Sequence, residues 1–351
     1  MYTIANLGFD EYFEMELKKT GFDKSVARVI AEYREAYLVK NFNGEFLARV
    51  TGKQLFTSVI REDYPAVGDW VTITELPDTK AVILGILPRK SILRRKASNK
   101  QDSQIIGTNI DTAFIVESMD RDYNLNRFER FLVLTEESNI HPTLILNKID
   151  LISENELFIR INQIRKRFNT LDILSISNVT RQGLSDLKHY IISGKTYCFL
   201  GSSGVGKSSL INSLLEKVEI VTREISITLE RGKHTTTTRE MYFLENGGIL
   251  IDNPGTREVG IVGSDFGIDA VFDEINHLSL QCKFKDCSHT NEPGCVVRKA
   301  INENILDEEK YNNFVKLRKE SEFYKMTSLE KRQKDRKFGK YVKKVLKELE
   351  R

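Results

Sequence analysis

The stretch Gly201-Ser-Ser-Gly-Val-Gly-Lys-Ser208 decides the fold. It matches the pattern G-x-x-x-x-G-K-[ST], whose glycines let the backbone wrap so tightly that its N–H groups face phosphate oxygens. Its surroundings are those the chemistry needs. The apolar run Tyr197-Cys-Phe-Leu200 enters it as a strand, and a helix beginning Ser209-Leu-Ile-Asn leaves it. The N-terminus of that helix adds a partial positive charge beside a bound anion. Gly201, Ser202, Ser203, Gly204, Val205, Gly206, Lys207, Ser208 and Ser209 are therefore the expected phosphate cradle. Lys207 would reach the β- and γ-phosphates, and Ser208 would bind Mg²⁺. A chance glycine-rich turn is the competing reading. Strand and helix in register on both sides count against it.

Outward from this loop, in a domain expected over residues 98–263, strand and helix patterns alternate between about 110 and 263. Thr112-Ala-Phe-Ile-Val116 and Thr143-Leu-Ile-Leu146 read as buried strands, with amphipathic helices at Leu125–Glu137 and Leu157–Phe168. Alternating βα units imply a mostly parallel sheet covered by helices. Asn147-Lys148-Ile149-Asp150 follows the second strand. A carboxylate there can accept from both the ring N–H and the exocyclic amine of guanine, a donor pair that adenine lacks. A site built on such bonds rejects the wrong base strongly, because its polar groups would be left unpaired. Ser177 and Asn178, after a further strand, are expected to give backbone contacts to the base. Alone, the four-residue motif also reads as an ordinary strand–helix turn with an Asp cap; beside the phosphate loop the guanine reading prevails.

The strand Ile249-Leu-Ile251 ends in Asp252-Asn-Pro-Gly255, a D-x-x-G arrangement. Its Asp would hold Mg²⁺ through water, and the Gly255 N–H would sense the γ-phosphate. Between the loop and Asp252 lies Gly232-Lys-His-Thr-Thr-Thr-Thr-Arg239. One of these threonines is expected to coordinate Mg²⁺ in a switch segment, with Thr235 or Thr236 preferred. Thr256 stands where many GTPases carry a water-orienting glutamine, so that work passes to another group, for which His234 is the candidate, to a partner, or is done slowly. A solvated loop histidine reads equally well.

Cys282-x4-Cys287-x-His289-x5-Cys295 supplies three thiolates and one imidazole, the closed tetrahedral set of a structural Zn²⁺ with no open position for catalysis. Redox or buried free thiols are the alternative. Cys198, in the strand before the loop, reads as a core residue.

The N-terminal part differs in pattern. Residues 1–34 read as a helical extension of two short helices, the second carrying Val26, Val29, Ile30 and Tyr33 behind an Asp23 cap. Residues 35–97 hold short strands separated by Asn and Gly, such as Tyr37-Leu-Val39, Phe46–Val50, Val67–Ile73 and Ala81–Leu87. That spacing suggests a small β-barrel of the OB-fold type. The basic segment Arg89–Lys96 beside it favours nucleic-acid contact, and Ala97–Gln104 reads as a linker. Residues 264–351 form a zinc-binding and basic helical domain. Its end, from 325 to 351, carries eleven Lys or Arg against four Asp or Glu, a basic amphipathic helix able to meet RNA phosphates or to pack as a solvated face. With 40% hydrophobic residues, a net charge of +3 and four cysteines, the 351-residue chain reads as globular, without a disulfide scaffold. No signal segment or apolar membrane stretch stands out, so a cytoplasmic location and no membrane are expected.

The order of the motifs narrows the reading. Guanine motif, Ser177 loop, phosphate loop, switch threonines and Asp252 follow one another, whereas common GTPases begin with the phosphate loop. The same site forms if the chain is circularly permuted. This order, together with Gly232-Lys-His-Thr-Thr-Thr, Asp252-Asn-Pro-Gly, the Cys-Cys-His-Cys spacing, Val67-Gly-Asp-Trp70 and Lys334-Asp-Arg-Lys-Phe-Gly-Lys340, closely resembles the bacterial small-ribosomal-subunit-dependent GTPase A (RsgA, YjeQ/YloQ-like) family. Asn253 replaces the family's usual Thr at a position that is not a ligand. The resemblance implies an OB-fold barrel, a permuted GTPase domain and a C-terminal zinc domain. It further implies a GTPase in late maturation of the 30S subunit, stimulated by the ribosome, with GTP or GDP, Mg²⁺ and one Zn²⁺ as cofactors. The 30S subunit and its rRNA are the expected partners, and a monomer the expected state. A GTP-dependent RNA-binding module with little turnover, or another translation-associated GTPase, remains the alternative.

Overall fold

The computed structural model describes residues 3–20, 25–33, 36–52, 61–96, 103–120, 123–168, 170–215, 239–252, 265–290 and 292–326, with 330, 333 and 336. The chain divides into two compact units, Met1–Gly260 and Ile261–Arg351.

The first unit begins with a short 3₁₀ turn, Ile4–Leu7, and helix α1, Glu11–Lys19. Strands β1 (Ser25–Glu32), β2 (Tyr37–Asn41), β3 (Gly44–Val50), β4 (Trp70–Leu76) and β5 (Lys80–Ile86) follow. They pair in the order β1-β2-β3-β5-β4, and β4 returns to β1, so the sheet closes into a five-stranded barrel. Its interior is filled by residues two apart on each strand: Ala27 and Val29, Tyr37 and Val39, Phe46 and Ala48, Val71 and Ile73, Ala81 and Ile83. The second helix expected in the N-terminal extension is instead β1, and the Asp23 assigned to cap it lies outside the described residues. The misreading has a physical cause. β1 is buried on both faces, against the barrel core through Ala27 and Val29 and against Leu7, Phe9, Phe13 and Trp70 through Val26. A strand covered on both sides loses its alternation, and its apolar run then mimics helical spacing. Trp70 and Phe13 are almost fully buried there, each contributing roughly 1.5–3 kcal/mol.

The expected linker is also partly a strand. β6 (Ile92–Lys96) pairs antiparallel with β7 (Ser103–Thr108). Part of the basic segment is paired within the fold. Arg89 donates to the buried Asp69 carboxylate at 2.7 and 2.8 Å, and Arg94 is bidentate on Glu62 at 2.7 and 2.9 Å. Lys90 pairs with Asp10. Three cations of the segment are thus paired with carboxylates of the same fold, while Arg95 meets the neutral Gln104 amide.

Six further strands extend the same sheet: β8 (Thr112–Ser118), β9 (His141–Asn147), β10 (Asp172–Ile176), β11 (Thr196–Leu200), β12 (Glu240–Phe243) and β13 (Ile249–Asp252). They lie in the order β10-β9-β8-β11-β13-β12, parallel except for β12. Among the described residues, the pairing of Ala31 with Glu240 joins this sheet to the barrel. Helix α2 (Leu125–Glu137) matches its expected bounds and is capped by Asn124, which accepts from the Asn126 N–H. Helix α3 (Glu154–Arg167) starts three residues before the expected Leu157, because Ser153 caps it. α4 (Leu184–Tyr190) and α5 (Lys207–Leu214) complete the described helices of this unit.

Among its described residues the second unit holds α6 (Asp265–Val271), α7 (Asp273–Ser279), α8 (Val296–Asn302) and α9 (Glu308–Lys325). Ile268, Phe272, Ile275, Val297 and Leu317 are fully buried in it. Most of the basic tail lies outside the described residues. Among the described residues no helix is long and apolar enough to cross a membrane.

Candidate nucleotide site and metal centre

Because β8, β9, β10, β11 and β13 run parallel, their C-terminal ends share one edge of the sheet. From β8 the chain moves outward through β9 to β10, then returns to β11 on the other side of β8. The gap between β8 and β11 is thus a topological switch point, where open α/β sheets bind ligands. Asn147 ends β9, Ser177 follows β10, the glycine loop follows β11 and Asp252 ends β13. The fold therefore brings together the candidates that were scattered through more than 100 residues of sequence. His234, Thr235, Thr236, Gly255 and Thr256 lie outside the described residues.

The loop is shaped by close approach. A side chain on Gly201, whose φ is +145°, would stand 2.4 Å from the Val116 carbonyl oxygen of β8. At Gly206, with φ of +99°, it would meet Asn147 Nδ2 at 2.2 Å. A Cβ at Gly201 would run into backbone, and one at Gly206 would have to push the Asn147 amide aside, with an unfavourable φ at both. Lys207, the first residue of α5, donates from Nζ to the carbonyls of Gly201 and Ser202, each at 2.6 Å. The cation is thus held beside the loop's own oxygens, with backbone N–H groups of the helix N-terminus alongside.

The guanine motif is wired to this loop. Asn147 is buried and donates from Nδ2 to the Val205 carbonyl at 2.8 Å, while its Oδ1 is buried with no partner among the described residues. Asp150 is exposed in a short 3₁₀ turn, where the Ser177 hydroxyl donates to its Oδ1 at 2.5 Å. Ser177 in turn accepts from the Thr180 N–H at 3.1 Å. Ser213 of α5 donates to Asn178 Oδ1 at 3.2 Å. A carboxylate oriented by a hydroxyl, a buried amide with capacity left over and a glycine cradle within one cluster can take a nucleotide's base and phosphates together. Thr180, Ser213 and Asp120, which pairs with Lys148, were not anticipated. No short motif marks them; only their position after a strand end or on a neighbouring helix does.

The four predicted metal ligands of the second unit converge, with all ligand atoms within 4.8 Å of one another. Cys282 and Cys295 Sγ are 4.0 Å apart, and His289 Nδ1 lies 3.6 and 3.4 Å from them. Tetrahedral Zn²⁺ with ordinary bond lengths requires roughly 3.8 Å between sulfurs and roughly 3.5 Å between sulfur and nitrogen, so the donor set fits. His289 Nε2 faces the Ser279 hydroxyl at 3.1 Å, which fixes the ring. The N–H groups of Val296 and Arg298 at the start of α8 donate to Cys282 and Cys295 sulfurs at 3.4 Å. Burial raises the Cys282 thiol pKa, but the backbone N–H groups of Val297 and Val296 and the neighbouring thiols outweigh it and the net direction is down.

A family model described as RsgA GTPase matches residues 86–262. The protein named small ribosomal subunit biogenesis GTPase RsgA 2 of Lactiplantibacillus plantarum is 40% identical, over 90% of this chain and 89% of its own. The like-named RsgA 2 of Vibrio parahaemolyticus is 37% identical over 98% of this chain and 92% of its own. Among solved structures, YjeQ from Thermotoga maritima superposes with a TM-score of 0.63 at 27% identity, covering 85% of this chain and 98% of that one. YloQ, described as a circularly permuted GTPase, gives 0.62 at 22% identity over 87% and 97%, which bears on the fold.

Proposed function

Because the chain belongs to the RsgA GTPase family and is a GTP-hydrolysing enzyme, we propose that it acts in late biogenesis of the small ribosomal subunit, coupling GTP hydrolysis to its departure from the particle. The observation that carries the reading is the convergence, at one sheet edge, of a phosphate loop and a guanine motif that arrive in permuted order. Asp150, oriented by Ser177, would accept from the two guanine donors, and Asn147 would bind the base while bracing the loop through Val205. The loop from Gly201 to Ser209 would cradle the phosphates, with Lys207 moving from its carbonyl partners to the β- and γ-phosphate oxygens. Ser208 and Asp252 would hold Mg²⁺, which neutralises charge developing between the phosphates. The switch threonines and His234 keep the roles read from the sequence: one threonine on Mg²⁺, and His234 beside the attacking water.

Cys282, Cys287, His289 and Cys295 would hold a structural Zn²⁺ that supports the second unit. The 30S subunit and its rRNA are the proposed partners, with the second unit and its basic end supplying contacts to phosphates. GTP hydrolysis measured with and without purified 30S subunits tests the proposal. Stimulation by 30S particles, lost in Lys207→Ala, is expected. Equal turnover in their absence and presence, or stimulation by 70S ribosomes or tRNA in preference to 30S, overturns the assignment of partner.

A further inference from the structure

We infer that Asp120 is a positioning residue for guanine-nucleotide binding, holding the ammonium of Lys148 in place before the base arrives; this rests on the guanine-site reading above. Asp120 lies just beyond the end of β8, the strand next to β9. Its Oδ2 accepts from Lys148 Nζ at 3.0 Å, with the two side chains 27% and 33% exposed. The pair is fixed from both sides. The neighbouring Met119 is fully buried and its N–H donates to the Asn147 carbonyl at 2.8 Å, so the segment carrying Asp120 is bonded to the guanine motif itself. The Asp120 carbonyl accepts from the Tyr123 N–H at 3.3 Å. Arg160 of α3 stacks on the Tyr123 ring at 4.7 Å and reaches Met119 Sδ at 3.8 Å.

Lys148 needs such a holder. Its backbone is left-handed, with φ of +60° and ψ of +39°, a conformation that a residue with a Cβ keeps only when its surroundings impose it. Its four-carbon stem is otherwise free to sample many rotamers, and ordering it on nucleotide binding would weaken affinity. An ion pair formed beforehand removes part of that ordering. Since both partners are about one-third exposed, the effect is bounded to that of a surface pair.

The test is a double-mutant cycle on the full chain, read by the dissociation of a fluorescent GDP and by steady-state GTP hydrolysis. Asp120→Asn should weaken GDP binding about two- to fivefold, as expected for losing an exposed ion pair, mainly through a faster off-rate. The loss should shrink in 1 M salt. Asp120→Glu should restore part of it, and kcat at saturating GTP should stay within about twofold for all Asp120 variants. Combining Asp120→Asn with Lys148→Met should weaken binding no more than Lys148→Met alone. The inference is overturned if Asp120→Asn binds GDP like the parent, if the two losses multiply, or if kcat falls while affinity holds. Asp150→Asn separates this from the parent reading. If it leaves guanine preferred over adenine, the guanine site itself is misassigned. If it abolishes that preference while Asp120→Asn is silent, only the role of Asp120 fails.

Discussion

Strand β11 has two ends that are built in opposite ways. At its start, Thr196 is 1% exposed, and its N–H and hydroxyl are both engaged, by Asp111 Oδ2 at 2.8 Å and by Arg28 Nη2 at 2.8 Å. Arg28 is itself 1% exposed and donates to carbonyls of Leu7, Gly68 and Asn109 at 2.5, 3.3 and 3.2 Å. One guanidinium thus ties the N-terminal extension, the barrel, the connection between β7 and β8, and strand β11 together. Burial pulls its pKa down to about 10, opposed by the charges of Asp111, Asp69 and Asp10. At the other end, five residues on, the chain enters a glycine loop whose neighbour Asn147 keeps a buried oxygen with no partner among the described residues. At Thr196 the N–H and hydroxyl are both taken up in fastening the fold, whereas Asn147 keeps an acceptor in reserve beside the loop where a ligand would bind.

The comparison predicts separable losses, and Arg28→Met should give the largest. Removing the guanidinium leaves buried carbonyls without their donor, so stability should fall by about 3–5 kcal/mol in denaturant titration. Hydrolysis per folded molecule should be nearly unchanged. A folded Arg28→Met protein with crippled turnover would show that the two ends are one device. Lys207→Ala should do the converse. GTP hydrolysis should drop about 100- to 1000-fold, the scale of losing one preorganised charge-stabilising group, while the melting midpoint reports a change within about 1 kcal/mol. A large loss of stability here would mean that the Lys207 bonds to Gly201 and Ser202 serve the fold.

Gly206→Ala acts between these extremes. The new Cβ must displace Asn147 Nδ2 from 2.2 Å and accept φ of +99°. Stability should fall by about 1–2 kcal/mol, and guanine-nucleotide affinity, measured by calorimetric titration, should weaken about tenfold. Wild-type affinity in this variant would mean that Asn147 is free to move and does not brace the loop.

The same contrast explains what could be read from the sequence. The convergence of the candidate site was legible because the chemistry proposed for it demands particular residues at fixed spacing: Gly201 and Gly206 where a Cβ would crowd a neighbour, Lys207 at the helix start, Asp150 three residues after a strand. The cysteine cluster was legible for the same reason, as its four ligands sit on one short segment. The fastening end was not. Arg28 stands in Val26-Ala27-Arg28-Val29-Ile30, and nothing in that string reveals four acceptors drawn from Leu7, Gly68, Asn109 and Thr196. Long-range partners of a backbone carbonyl have no residue signature. The strand β1 that carries Arg28 was read as helix because both its faces are covered. β6 was read as part of a basic surface because Arg89 and Arg94 find Asp69 and Glu62 only once the barrel has formed.

Thr196→Val makes the smallest change and the finest distinction. Valine keeps the shape and the β-branched fit to a buried strand but removes the acceptor of Arg28 Nη2. That nitrogen retains the Asn109 carbonyl at 3.2 Å, so the guanidinium is not orphaned and the cost should be about 1–2 kcal/mol. Added to Arg28→Met, the substitution should cost almost nothing more, because the bond it removes is already gone. Nucleotide affinity and turnover should match the parent, since the strand between Thr196 and Leu200 is buried and held on both sides by β8 and β13. If Thr196→Val changes nucleotide affinity with no change in stability, β11 transmits a displacement along its length, and the fastening end belongs to the machinery of the nucleotide site.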